Sequence, residues 1–198
     1  PWTLYRYMSG NVLAGNIDEF DGAYMMTRLV DYIVEHLSQQ IKAGCDTVQV
    51  FDSWASDLGE EHIIPYCYEP TAQIVERLRA LHPDVGIIVF PRLIGEEINN
   101  FSKYVNADCI SLSDDMKTDW ILKRMGSQCL QGGIPPQVLL SERKEEIIRG
   151  TVPMIRQMKD CAYVVNLAHG INKETPVENV RFFIEIVKRN RENITRET

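Results

Sequence analysis

The strongest constraint in this sequence is a rhythm. A short apolar run, rich in β-branched residues, is followed by a stretch with helical spacing, and the couplet recurs. The runs are DTVQVF (Asp46–Phe51), VGIIVF (Val85–Phe90), ADCISL (Ala107–Leu112), SQCLQG (Ser127–Gly132) and AYVV (Ala162–Val165). Helices are predicted over 70–81, 95–104 and 118–125, from about Glu142, and from Thr175. Each run is continuous in apolar character rather than alternating, which predicts strands covered on both faces and therefore a parallel α/β sheet. Two architectures satisfy this pattern, an open doubly wound sheet and a (β/α)8 barrel. No G-x-G-x-x-G follows the first strand, which weakens the dinucleotide-binding version of the open sheet. A barrel ordinarily takes about 250 residues and eight couplets. With 198 residues, this chain would be an incomplete one.

Local signals set the boundaries. Met26, Leu29, Ile33, Leu37 and Ile41 recur at helical spacing ahead of the first strand, and Gly44 supplies the stop. In the helix over 70–81, Ile74, Val75 and Leu78 face inward and Pro83 lies just beyond the end. Ser141 is placed to cap the helix from Glu142, and Gly150 with Pro153 should kink or break it. For the last helix Thr175 is the expected cap, Pro176 the first helical residue and Glu178 the partner in a capping box. Its predicted core stripe is Val177, Val180, Phe183 or Ile184, and Val187.

Composition removes several classes of function. Net charge is −7 and the basic residues are scattered, so no nucleic-acid-binding face is expected. The five cysteines are oddly numbered and widely spaced, with no C-x-x-C, which points to a reducing compartment rather than a disulfide framework. Cys109, Cys129 and Cys161, near strand starts, are expected to act as small buried apolar groups. There is no signal peptide pattern, and no apolar run approaches the roughly 18 residues of a membrane span. The expectation is a soluble, cytoplasmic protein with no membrane partner. The chain begins at Pro1, without an initiator methionine.

Chemistry-bearing residues gather after the strands. Asp52 and Ser53 follow VQVF, and Asn166 and His169 follow YVV. Tyr7 is a third such residue if PWTL is the tail of a strand. In parallel α/β proteins the loops at the strand carboxyl ends converge on one face, where sites are built. Taken singly, Ser53 is more simply a turn residue, and His169 a helix-approach residue bonded to backbone. A Ser53–His169–Asp52 triad is disfavoured, because Ser53 has no G-x-S-x-G elbow and Asp52 is its immediate neighbour. Glu60-Glu61-His62 lacks the upstream histidine of a zinc motif, position 58 being Leu58. No metal is expected. Gly132-Gly133 could aim backbone N–H groups at an anion, or could simply make a tight turn.

Several motifs carry a resemblance. PWTLYRYM at the start, AGCDTVQVFDSWASDLG (Ala43–Gly59), CLQGG (Cys129–Gly133) and NLAHGINKETPVENVRFFIEIV (Asn166–Val187) resemble uroporphyrinogen decarboxylase, in the family's order and nearly from end to end. The resemblance covers only the later part of such an enzyme. The amino-terminal segment, with its arginine-rich substrate loop and essential aspartate, is not in this sequence, so no catalytic residue is assigned within it. The resemblance implies an α/β fold, a partial (β/α)8 TIM barrel of about five of eight units, with 1–198 forming a single domain from the carboxyl-terminal portion. It implies a homodimer that needs no cofactor and converts uroporphyrinogen III to coproporphyrinogen III by removing CO2 from four acetate side chains. By motif, Tyr7, Ser53 and His169 match the family's substrate-binding positions. Phe51 matches a ring packed against the macrocycle, its alternative being a plain core residue.

Two stretches depart from the family pattern. Ser111-Leu112-Ser113-Asp114 stands where GLDW is common, and Gln131-Gly132-Gly133-Ile134-Pro135-Pro136 where QGNLDP is common. Hydrogen bonds to charged groups contribute about 1.5–3 kcal/mol each. Three of them cannot replace the arginines, so this piece alone is expected to bind and turn over substrate poorly. Two other readings stand beside the decarboxylase. One is a corrinoid-linked methyltransferase of the same superfamily, whose zinc-binding H-x-C does not occur here. The other is a non-catalytic partial barrel with exposed sheet edges.

Overall fold

The computed structural model describes residues 22–197 of the backbone and the side chains over 24–190. The chain divides into two compact units, Pro1–Ile110 and Ser111–Thr198.

In the first unit, helix α1 (Gly22–Lys42) leads into strand β1 (Thr47–Asp52). The predicted stop at Gly44 is a full C-terminal cap. Gly44 has φ +109°, its N–H donates to Ile41 O, and the Cys45 N–H reaches back to Gln40 O. That bond pair is the Schellman arrangement, which needs a residue at ease in left-handed backbone. A helical turn (Glu60–Ile63) runs through a π-helical turn (Ile64–Tyr68) into α2 (Glu69–Leu81), which packs on α1. Strand β2 (Gly86–Pro91) and helix α3 (Ile98–Val105) follow. Asp108, just before strand β3 (Cys109–Leu112), accepts the Ile87 N–H at 2.8 Å and two N–H bonds from Arg79 at 3.1 Å, pinning α2 and β2 to the start of β3.

The second unit carries α4 (Thr118–Met125), β4 (Cys129–Gly132), α5 (Lys144–Gln157), β5 (Tyr163–Val164) and α6 (Val177–Glu197). Its core is centred on Leu139, Ile147 and Ile186, with Val138, Val152, Val180 and Phe183 packed around them.

The strands form one parallel sheet in the order β1-β2-β3-β4-β5, with Val48 beside Ile87 and Val50 beside Val89 in the first pair. A doubly wound sheet reverses its strand order at a switch point, whereas a barrel adds each strand next to the last. The sequential order decides between the two: this is an α/β fold of the partial (β/α)8 kind.

Several local expectations need correction. Burial is continuous along β3, but β1 alternates: Val48 and Val50 are buried while Thr47 and Phe51 are exposed. Among the described residues nothing covers the face of β1 that carries Thr47 and Phe51. In α1 the buried stripe is Val30, Val34 and Leu37; Met26, Leu29 and Ile33 instead line a cavity. In α6, Val177 (60%) and Ile184 (46%) are exposed, and Asn179 and Ile186 hold the buried side. The Asn179 amide donates to Leu139 O and Ser141 O, each at 2.9 Å, which offsets its burial.

Thr175 does not cap: its hydroxyl is buried without a partner. Ser141 Oγ accepts the Arg143 N–H at 3.1 Å and donates to Glu146 at 2.5 Å, an anchor set three residues before α5 begins. Gly150 and Pro153 do not break α5, which is assigned helix throughout. A Cβ at Gly150 would lie 2.5 Å from Val138 Cγ1, so the glycine there serves close packing. Of the three strand-start cysteines only Cys109 is buried; the buried cysteine the pattern did not single out is Cys67.

Candidate active site at the strand ends

The first unit presents the end of β1. Successive side chains on a strand point to opposite faces. Phe51 therefore emerges on the open face, 61% exposed, with its ring edge-on to Phe90 at 6.2 Å and 89°. Among the described residues Phe51 is an exposed ring and not part of the core. Ser53 sits one step further, partly buried in the turn that ends the strand.

Asp52, between them, faces the other way and lines a cavity of about 80 Å3 together with Met26, Leu29, Trp54, Leu58 and Tyr66. Burial raises its carboxyl above the usual range, opposed by hydrogen bonds from the Cys67 thiol and the Trp54 backbone N–H. Burial, and then the facing Asp52 carboxylate, push the Cys67 thiol far above its ordinary range, so it stays protonated and acts as a donor.

The second unit presents the end of β5. The chain continues past Val164 to a bridge pairing Leu167 with Ile134, and the Ala168 N–H donates to Ile134 O at 2.7 Å. Asn166 Oδ1 accepts the Leu167 N–H at 2.8 Å. These bonds deliver His169, partly buried, on an anchored backbone. Its Nδ1 lies 2.9 Å from Gly170 O. A carbonyl cannot donate, so Nδ1 carries the hydrogen, and Nε2 is the ring atom left for a ligand. It accepts when the ring is neutral and donates when the ring is charged. The bland backbone contact expected of a loop histidine is thus present, and it occupies one nitrogen only.

The Gly132-Gly133 pair ends β4 in left-handed backbone. Both residues have positive φ, +81° and +86°. The Gly133 N–H donates to Leu112 O at 3.1 Å and so is not aimed at an anion. The Gly132 carbonyl accepts the Tyr163 hydroxyl at 2.6 Å. A Cβ on Gly132 would lie 3.1 Å from both Leu112 O and Leu167 O, and one on Gly133 would lie 2.5 Å from Met154 Cε. In the two departing stretches, Ser111, Ser113 and Gln131 are buried, and Gln131 Nε2 donates to Ser111 Oγ at 3.3 Å.

The structure places Phe51 and Ser53 on one turn of the first unit and His169 in the second; Tyr7 lies outside the described residues. Among the described residues no three His, Cys, Asp or Glu side chains gather into a group that could hold a metal ion. The residues that sequence reasoning missed are Cys67 and Tyr163. Neither sits in a motif, and only the folded chain brings them to Asp52 and to Gly132.

The profile of the family described as "Uroporphyrinogen decarboxylase (URO-D)" matches residues 1–190. The chain belongs to the uroporphyrinogen decarboxylase family. Among similar proteins, the uroporphyrinogen decarboxylase of Cereibacter sphaeroides is 30% identical over 95% of this chain, and that of Orientia tsutsugamushi (strain Boryong) is 32% identical over 95%. The enzyme of that name from Paracoccus denitrificans is 30% identical, again over 95%. In each case the chain spans 58% of the relative's own length. No helix among the described residues is long and apolar enough to cross a membrane.

Proposed function

We propose that the complete native protein decarboxylates the acetate side chains of uroporphyrinogen III, giving coproporphyrinogen III and four CO2. The observation that carries this reading is the family match across nearly the whole chain. Residues 1–198 would form the carboxyl-terminal portion of one barrel, with its cleft at the strand carboxyl ends. Ser53 and Tyr7 would donate hydrogen bonds to substrate carboxylates, and His169 would add one through Nε2, charge-assisted when the ring is protonated. Phe51, exposed at the end of β1, would offer its ring to the macrocycle.

The chemistry asks little of a cofactor. Protonation of a pyrrole ring makes it an electron sink. The electron pair of the bond to the carboxylate then flows into the ring as CO2 leaves, a proton delivered to the remaining carbon completes a methyl group, and loss of the proton first added to the ring restores the pyrrole. The protein's part is to orient the carboxylates, exclude water and stabilise charge. We place the activity in the cytoplasm and in a homodimer, as is usual for the family.

The test is direct. Complete native protein is incubated with uroporphyrinogen III, and oxidised products are separated by chromatography. Stepwise loss of four carboxyl groups is the expected result. Unchanged substrate, at a protein concentration where a control uroporphyrinogen decarboxylase completes the reaction, sinks the proposal.

A further inference from the structure

In the second unit the pairing of β4 with β5 has a gap near its end, and one side chain spans it. Leu130 lies beside Tyr163 and Gln131 beside Val164, and Leu167 rejoins at Ile134 in the same register. Between these points Gly132 and Gly133 turn into left-handed backbone, and the Gly133 N–H leaves for Leu112 O on β3. On the near side of the gap the Leu130 N–H donates to Ala162 O at 2.9 Å; on the far side the Ala168 N–H donates to Ile134 O at 2.7 Å. Leu130 and Ile134 are thus bonded positions of the parallel ladder. Carried through the gap, the same pattern would bring the Asn166 N–H to the carbonyl of Gly132, the bonded position between them.

That carbonyl accepts the Tyr163 hydroxyl, at 2.6 Å. Gly132 is buried, so an empty acceptor there would be costly. Burial also raises the Tyr163 phenol above its ordinary range, which keeps it a donor. Gly132 has little slack, since a Cβ on it would lie 3.1 Å from Leu167 O. The segment from Tyr163 to Ala168 is therefore fastened to β4 at both ends, by a side chain at its start and by backbone at its close. His169 is the next residue.

We propose that Tyr163 is a positioning residue for His169: its hydroxyl, bonded to the Gly132 carbonyl, bridges the break in the β4–β5 ladder and sets where the histidine leaves the sheet. The role toward a ligand rests on the function proposed above; the bridge itself does not.

Two measurements on the complete native protein separate these. The first is amide hydrogen exchange. Tyr163→Phe, which removes only the hydroxyl, should speed exchange at Ala168 by roughly tenfold, the loss of one bond to a buried carbonyl. A rise of the same size at Val180, in α6, would mark a general loss of stability and count against the bridge. The second is a double-mutant cycle on uroporphyrinogen turnover. Tyr163→Phe should raise KM on the order of tenfold with little change in kcat. Added to His169→Ala it should cost nothing more, because two changes to one interaction do not add.

Unchanged exchange at Ala168 in Tyr163→Phe overturns the proposal, as do unchanged KM or losses that multiply in the double variant. Should Tyr163→Phe fail to fold, 4-aminophenylalanine at position 163, whose N–H is a weaker donor to the same carbonyl, takes its place. Smaller effects of the same sign then sustain the proposal, and unchanged exchange and KM overturn it. Absence of turnover in the wild type sinks the function proposed above, while the exchange comparison still decides the bridge.

Discussion

At the scale of single residues, His169 is the position where geometry and chemistry agree most closely. With Nδ1 spent on Gly170 O, the ring can serve a ligand through Nε2 alone. His169→Ala in the complete native protein is expected to lower kcat/KM by roughly ten- to hundredfold, the value of one charge-assisted hydrogen bond. Steady-state kinetics would show it, and an unchanged value would remove His169 from the site.

Asp52 makes a different prediction, in pH. Its folded value lies above the usual 3.8 because the carboxyl is buried. The contribution to stability is therefore fully present below the unfolded value and is lost as pH rises through the folded one. Asp52→Asn carries no charge at any pH and escapes that loss. The melting temperature of the variant minus that of the wild type should increase between about pH 3.5 and 7; a flat difference would show the carboxyl to be unperturbed. The placement of Ser53 and His169 just past β1 and β5 was legible in the sequence, because both follow apolar strand runs. Cys67 was not, because nothing in IPYCY says that a helical turn will carry its thiol to a carboxylate fifteen positions earlier.

At the scale of elements, the glycines separate two physical uses. Gly133 is needed for its backbone, at φ +86°, and for the space filled by Met154. Gly133→Ala should cost about 1–3 kcal/mol from strain and overpacking. Adding Met154→Ala should relieve the packing share and leave the backbone share, as denaturant titrations would reveal.

Gly150 is needed for space alone. Alanine in a helix is worth about 1 kcal/mol over glycine, yet overpacking typically costs about 1–3 kcal/mol, and Val138 is too stiff at χ1 to swing clear. Packing therefore wins. Gly150→Ala should destabilise the wild type and stabilise a Val138→Ala background, a reversal of sign that a helix-propensity account would not produce.

Thr175 tests a failed expectation. The letters TPVE spell a capping box, but the hydroxyl is buried and unpaired. Thr175→Val should be neutral or raise stability by up to about 1 kcal/mol, whereas loss of a true cap would lower it by that amount. Propensity located the helix start correctly and misread the cap, because packing against the Leu139–Ile147–Ile186 core sets how the chain enters α6.

At the scale of the whole molecule, the chain spans 58% of the relatives it matches. The residues proposed to meet substrate here are hydrogen-bond donors and a ring. A polyanionic macrocycle needs more positive charge than one imidazole supplies. The 198-residue chain alone is expected to turn over uroporphyrinogen at least about a hundredfold more slowly than the complete native protein, the equivalent of losing one or two charge-assisted hydrogen bonds. Comparable rates would show that these residues suffice.

What the sequence determined unaided is the alternation of strands and helices, the stop at Gly44 and the residues set at strand ends. All of these follow from periodicity and from backbone preferences that act over a few residues. What tertiary structure alone decided is the sequential strand order that separates barrel from open sheet, the exposure of Phe51, and the partners of Asp52 and Gly132. Those depend on which surfaces cover one another across tens of residues, and a local pattern carries no record of that.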